Sequence, residues 1–161
     1  MNKILRISMI AVLALIANFS FAGVSTIDFT KLTVTTVSDE NNKENNGYTF
    51  TSGDFTFTAK KNNGQTAPTQ NTNSKDLRHY AKNSITISGA KMTKMVFTIS
   101  NAGKSRWAKV TASEGTMTVD QTKGTATWEN TVGSSSVTLT VGDKNEYGTE
   151  AKTKAGQFNV D

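Results

Sequence analysis

The stretch Asp76-Leu77-Arg78-His79-Tyr80-Ala81-Lys82-Asn83-Ser84-Ile85-Thr86-Ile87-Ser88-Gly89 decides how this chain is read. Leu77 and His79 alternate with Arg78 and Tyr80, which is the period-two pattern of a strand with two chemically different faces. Lys82-Asn83-Ser84 reads as a turn, and Ile85 and Ile87 point one way before Gly89. The only histidine of the chain, an arginine and a tyrosine meet here. Strand alternation nevertheless sends Arg78 and Tyr80 to one face and His79, with Leu77, to the other.

The same alternation continues downstream. Met95, Phe97 and Ile99 share a face, Ser100 to Ser105 turns, and Trp107, Lys109 and Thr111 alternate with Ala108, Val110 and Ala112. Met117 and Val119 face in, Asp120 to Gly124 turns, and Ala126 and Trp128 share one face. Val137, Leu139 and Val141 form a further strand, Gly142 to Gly156 reads as a polar loop, and Phe158 and Val160 close the chain. Upstream, Ile27 and Phe29, then Leu32, Val34 and Val37, read as a first strand region with a bulge near Lys31. Ser38 to Gly47 is loop-like, whereas Tyr48 to Phe50 and Phe55 to Ala59 form two strands about a tight turn. Asn62 to Lys75, rich in Asn, Thr and Gln, reads as a long surface loop around Pro68.

Nowhere after residue 22 do apolar residues recur at helical spacing beyond two turns, and Thr, Val and Ile dominate the ordered segments. The expectation is an all-β fold. With no helical crossovers, about nine strands should form a two-sheet antiparallel β-sandwich of jelly-roll or Greek-key type, with an immunoglobulin-like sandwich as the alternative.

Residues 1–22 carry Lys3 and Arg6, an apolar run from Met9 to Ile16, and Ser20-Phe21-Ala22 with small residues at the positions a signal peptidase reads. They are read as a secretory signal peptide, with residues 23–161 as a single β-sandwich domain. The absence of cysteine excludes a disulfide staple and a lipid anchor on an amino-terminal cysteine. The expected location is outside the cytoplasm: secreted, on the cell surface or in the periplasm, with no membrane span once the signal is removed. Residues 1–22 hold two of the 18 basic residues and none of the 13 acidic ones, so the charge falls from +5 to +3 on cleavage. That mild balance argues against nucleic acid as a partner.

Lys61-Asn62-Asn63-Gly64-Gln65-Thr66-Ala67-Pro68, Leu77 to Gly89, Met95-Val96-Phe97-Thr98-Ile99 and Val137-Thr138-Leu139-Thr140-Val141-Gly142 together resemble a β-sandwich module of secreted and surface proteins of Bacteroidetes-type bacteria. The resemblance spans most of residues 23–161 and implies an extracellular accessory domain without assigned catalytic residues. Arg and Tyr recur in such modules at the positions of Arg78 and Tyr80, whereas His79 stands where an apolar residue is usual.

Arg78 and Tyr80 on one strand face could stack on and hydrogen-bond a sugar or peptide, since guanidinium and phenol present flat surfaces with polar edges. The bland reading of Arg78 is a side chain bonding carbonyls of the 62–75 loop. Trp107, beside Arg106 and Lys109, is read as an exposed stacking platform, with core packing as its alternative. Tyr147 and Tyr48 border polar loops and would extend a binding rim. Trp128 is read as core. Lys91, Lys94, Lys104, Arg106 and Lys109 could form an anionic-polymer platform, or simply guard strand edges. Asp143, Asn145 and Glu146 are the only candidate Ca²⁺ ligands, but Lys144 interrupts them and EF-hand spacing is absent. His79 has no second histidine or cysteine for a metal site, and no paired carboxylates are evident, so neither cofactor nor enzymatic activity is expected. The functional expectation is a non-catalytic binding module for a glycan or other surface polymer. The alternative is a structural or adhesin-like protein-interaction module directed at another protein.

Overall fold

The computed structural model describes residues 25–34, 36–37 and 47–161. The signal-peptide expectation for residues 1–22 and nearly all of the 38–47 loop lie outside the described residues. The described chain forms two antiparallel sheets, with no helix long and apolar enough to cross a membrane.

The larger sheet is built on two long strands. β1 (Thr36–Val37), β2 (Gly47–Ser52) and β3 (Phe55–Lys60) form a meander, and β3 pairs with β6 (Ser84–Thr98). β6 pairs along its length with β9 (Thr125–Asn145). β7 (Ala108–Ala112) flanks the second half of β9, and β8 (Thr116–Asp120) flanks the first. β4 (Thr69–Gln70), β5 (Leu77–Tyr80) and β10 (Gln157–Val160) make the smaller sheet, in the order β10-β5-β4. The sandwich expectation of about nine strands therefore holds, with ten short and long strands among the described residues.

Alternation explains the layering. Phe57, Ala59, Ile85, Ile87, Val137, Leu139 and Val141 point into the core from the large sheet, and Leu77, His79, Phe158 and Val160 point back from the small one. Phe97 and Phe158 meet edge to face at 5.5 Å across the layers. On the opposite face of the large sheet, Thr49, Thr58, Thr86 and Thr138 stand opposite one another on successive strands. Thr86 and Thr138 hydroxyls bond at 2.9 Å, a cross-strand pairing that suits a pleated surface in water.

Four expectations need correction. Ala126–Trp128 and Val137–Val141, expected as separate strands, both belong to β9. Ile27 to Val34 is not a strand with a bulge: Asp28 caps a 3₁₀ turn at Phe29–Lys31 by accepting from the Thr30 amide. The segments expected separately at residues 85–89 and 95–99 are one strand, bent by register shifts between Ser88 and Lys94 with Gly89 at φ 146°. Likewise Gly142 does not open the second loop, because β9 runs on to Asn145.

The 62–75 loop is ordered by its own side chains. The Gln70 amide donates to the carbonyls of Phe29, Leu32 and Lys75 and accepts from the Val34 amide, tying the amino-terminal segment to β4. The Asn71 side chain accepts from the amides of Asn73 and Ser74 in an Asx turn.

Candidate functional site

β5 has Leu77 and His79 buried, with Arg78 and Tyr80 partly exposed. The split expected from alternation is thus observed. His79 is walled by Phe158 and Tyr48. Because the Phe158 carbonyl can only accept, His79 Nδ1–H donates to it at 2.8 Å, leaving Nε2 to accept from the Tyr48 hydroxyl. Burial drives the His79 pKa down to about 4 and pushes the Tyr48 phenol above its ordinary value. Both groups are neutral parts of the core, so Tyr48 is withdrawn from the expected binding rim.

On the other face of β5, Tyr80 stands opposite Gln157 and Arg78 opposite Asn159. Arg78 does not serve the loop carbonyls. Its Nε donates at 3.3 Å to the carboxylate of buried Asp76, which also accepts from Ser100 Oγ at 3.0 Å and from Ser74 Oγ. On the far side of β10, the Gln157 amide donates to the Arg106 carbonyl at 2.7 Å, and Trp107 forms a parallel bridge with Gln157. Strand β10 therefore lies between β5, which carries Arg78 and Tyr80, and the Arg106–Trp107 segment.

Trp107 is not an exposed platform; it is only 2% exposed. The Glu146 and Tyr147 amides both donate to the Trp107 carbonyl, and those of Thr149 and Glu150 donate to Lys104 and Ser105. This zips residues 146–150 onto 104–107 and lays the Tyr147 ring edge-on over the indole, 5.9 Å away. Tyr147 remains half-buried at the surface beside an open depression of about 580 Å³ bounded by Val119, Asp120 and Gln121. Arg106 lies 3.6 Å from Glu150, and Lys94 2.8 Å from Glu129, so two of the five basic residues of the supposed anionic-polymer platform have carboxylate partners. Trp128 is core as expected, its indole N–H donating to the Glu114 carbonyl at 2.7 Å.

Among the described residues, the buried side-chain nitrogen and oxygen atoms without a hydrogen-bond partner are Arg106 Nε, Trp107 Nε1 and Asn159 Oδ1. All three lie around Gln157. Arg106 Nε has the Glu150 carboxylate 3.6 Å away, and Trp107 and Asn159 are only 2% and 1% exposed, so none of the three atoms is open to a ligand.

The Ca²⁺ candidates do not converge. Asn145 is buried; its amide donates to the Glu150 and Ser105 carbonyls and its oxygen accepts from the Gly148 amide, which makes it the pin of the 146–150 loop. Asp143 faces Lys82 across the surface at 3.9 Å, and Glu146 is exposed. Among the described residues, no group of three His, Cys, Asp or Glu side chains is placed to hold a metal ion.

Sequence reasoning missed Gln157 and Asn159. The signal was available: the alternation that buries Phe158 and Val160 turns Gln157 and Asn159 to the face of Arg78 and Tyr80. In comparisons with known proteins, no family model matches the chain, and no curated protein or solved structure matches it. What the fold defines is a two-sheet antiparallel β protein whose small sheet carries a polar and aromatic outer strip.

Proposed function

We propose that this chain is a secreted, non-catalytic binding module that takes a glycan or similar hydroxyl-rich surface polymer along the outer strip of the small sheet. Arg78, Tyr80 and Gln157 form its centre, and Arg106 and Tyr147 its flank. The observation that carries the reading is the placing of partly exposed Arg78, Tyr80 and Gln157 on one face of β5 and β10, flanked by partly exposed Arg106 and Tyr147. A hydroxyl-rich polymer supplies both donors and acceptors, and its apolar ring faces suit phenol and guanidinium surfaces.

A second reading, a protein-interaction module without a glycan site, is favoured by one observation: both tryptophans are buried, so no indole is offered for stacking. Polysaccharide pull-down and glycan-array binding of wild type, Arg78→Ala, Tyr80→Ala and Tyr147→Ala separate the two. The glycan reading expects binding by wild type and at least tenfold loss, about 1.4 kcal/mol, in folded Tyr80→Ala. Failure of folded wild type to bind any polymer would sink it and favour the protein partner.

A further inference from the structure

An open depression lies away from the Gln157 strip, where the turn after β3, the turn after β5 and the end of β9 meet. It is an open cleft of about 820 Å³ whose polar walls are Asn62, Asn63, Lys82, Thr140 and Asp143. That size falls in the roughly 300–1,000 Å³ range of small-ligand sites.

Its walls are built with care for position. Of the three non-glycine residues at positive φ among the described residues, two line this cleft: Asn62 at 48° and Lys82 at 68°. Such backbone persists only where surroundings over-determine it, and it concentrates at binding sites. Here the surroundings are the side chain of Asn83, which is fully buried. Its amide donates to the Lys61 carbonyl at 3.2 Å and the Thr66 carbonyl at 2.9 Å, and its oxygen accepts from the Tyr80 amide at 2.8 Å. The Lys82 amide donates to Val141, the Val141 amide to Asn83, and Asn62 Nδ2 to the Lys82 carbonyl at 3.4 Å. Both turns are therefore locked to β9.

The outward groups are left for other use. Lys82 and Asp143 stand 3.9 Å apart with more than half of each side chain exposed, a geometry worth little to stability. One ammonium and one carboxylate cancel, so the cleft attracts neither polyanions nor polycations. It presents instead a two-oxygen acceptor, a three-proton donor and two mixed amides. Two adjacent hydroxyls satisfy this set together, both donating to Asp143 while one accepts from Lys82.

We propose that the Lys82–Asp143 cleft binds a vicinal diol of a neutral sugar unit, a second glycan contact separate from the Gln157 strip. The proposal shares with the reading above only its ligand class.

The test is affinity electrophoresis of the full chain in native gels containing mannan, xyloglucan or β-1,3-glucan, with polygalacturonate as the charged control. Asp143→Ala removes the acceptor. Lys82→Gly removes the donor at a backbone position that glycine prefers, so its melting temperature should equal or exceed that of wild type. The proposal expects wild type to be retarded by at least one neutral polysaccharide and both variants to lose at least fivefold in affinity while melting normally. Retardation that survives in both cleft variants but disappears in Tyr80→Ala overturns the cleft and leaves the strip standing. Loss in the cleft variants with Tyr80→Ala unaffected upholds the cleft and removes the strip. Retardation by polygalacturonate alone, or by none of the polymers, overturns the cleft proposal.

Discussion

Acidification should weaken this fold through one residue. His79 is neutral in the native core because burial holds its pKa near 4, against 6.5 for an unhindered imidazole. The sign follows from proton counts: between these values the unfolded chain binds a proton that the native state refuses, so stability rises with pH through this window. The full contribution is present above about pH 6.5 and is lost as pH falls toward 4. From these two values the loss between pH 7 and pH 5 is about 2 kcal/mol, a sizeable share of the roughly 5–15 kcal/mol typical of a domain. The geometry accounts for the refusal. Protonation at Nε2 would place a second donor against the Tyr48 hydroxyl while Nδ1 already donates to Phe158. Urea unfolding followed by the fluorescence of buried Trp107 and Trp128 reads this directly at pH 7, 6 and 5 and constant ionic strength. His79→Gln, which keeps a donor and an acceptor, should start less stable and lose about 2 kcal/mol less over that range, because distant carboxylates contribute equally to both proteins. Parallel pH profiles for the two proteins would refute the assignment of His79 as a buried neutral core residue.

Other consequences are open to the same instruments. Asn83→Ala leaves the Lys61 and Thr66 carbonyls and the Tyr80 amide without their partner, and chemical denaturation should show a loss of about 2–4 kcal/mol. Leu139→Ala, in the second half of β9 and fully buried, should cost about 2–5 kcal/mol by the same measurement. Tyr147→Ala should uncover Trp107, red-shifting its emission and raising acrylamide quenching in a protein that still unfolds cooperatively. Opening the 146–150 loop with Asn145→Ala should produce the same spectral change together with a loss of about 1–3 kcal/mol.

The strands most plainly written in the sequence are those whose inward residues alternate without interruption: Phe55 to Ala59, Leu77 to Tyr80, and Val137 to Val141. Pairing along β6 and β9 is harder to read, because each strand runs on through register shifts between Ser88 and Lys94, where side chains give no core-facing rhythm. Trp107 was misplaced for a different reason. Its roof comes from Tyr147 and the backbone of residues 146–150, some forty positions along the chain, and Asn145, the residue that folds that roof, looks like any polar loop residue in isolation. Gln70 and Asn83 were equally silent. Each is a polar residue in a polar stretch, and only the tertiary structure shows that each holds two distant segments together. By contrast, the opposition of Arg78 and Tyr80 to His79 was legible from alternation alone, since it depends on nothing but strand geometry.

The most direct test of the binding strip is an amide chemical-shift titration of isotope-labelled protein with oligosaccharide fragments of whichever polymer it retains. The account predicts saturable shifts centred on Arg78, Tyr80, Arg106, Tyr147 and Gln157. Shifts confined to the threonine face of the large sheet, or no shifts at all, would contradict it.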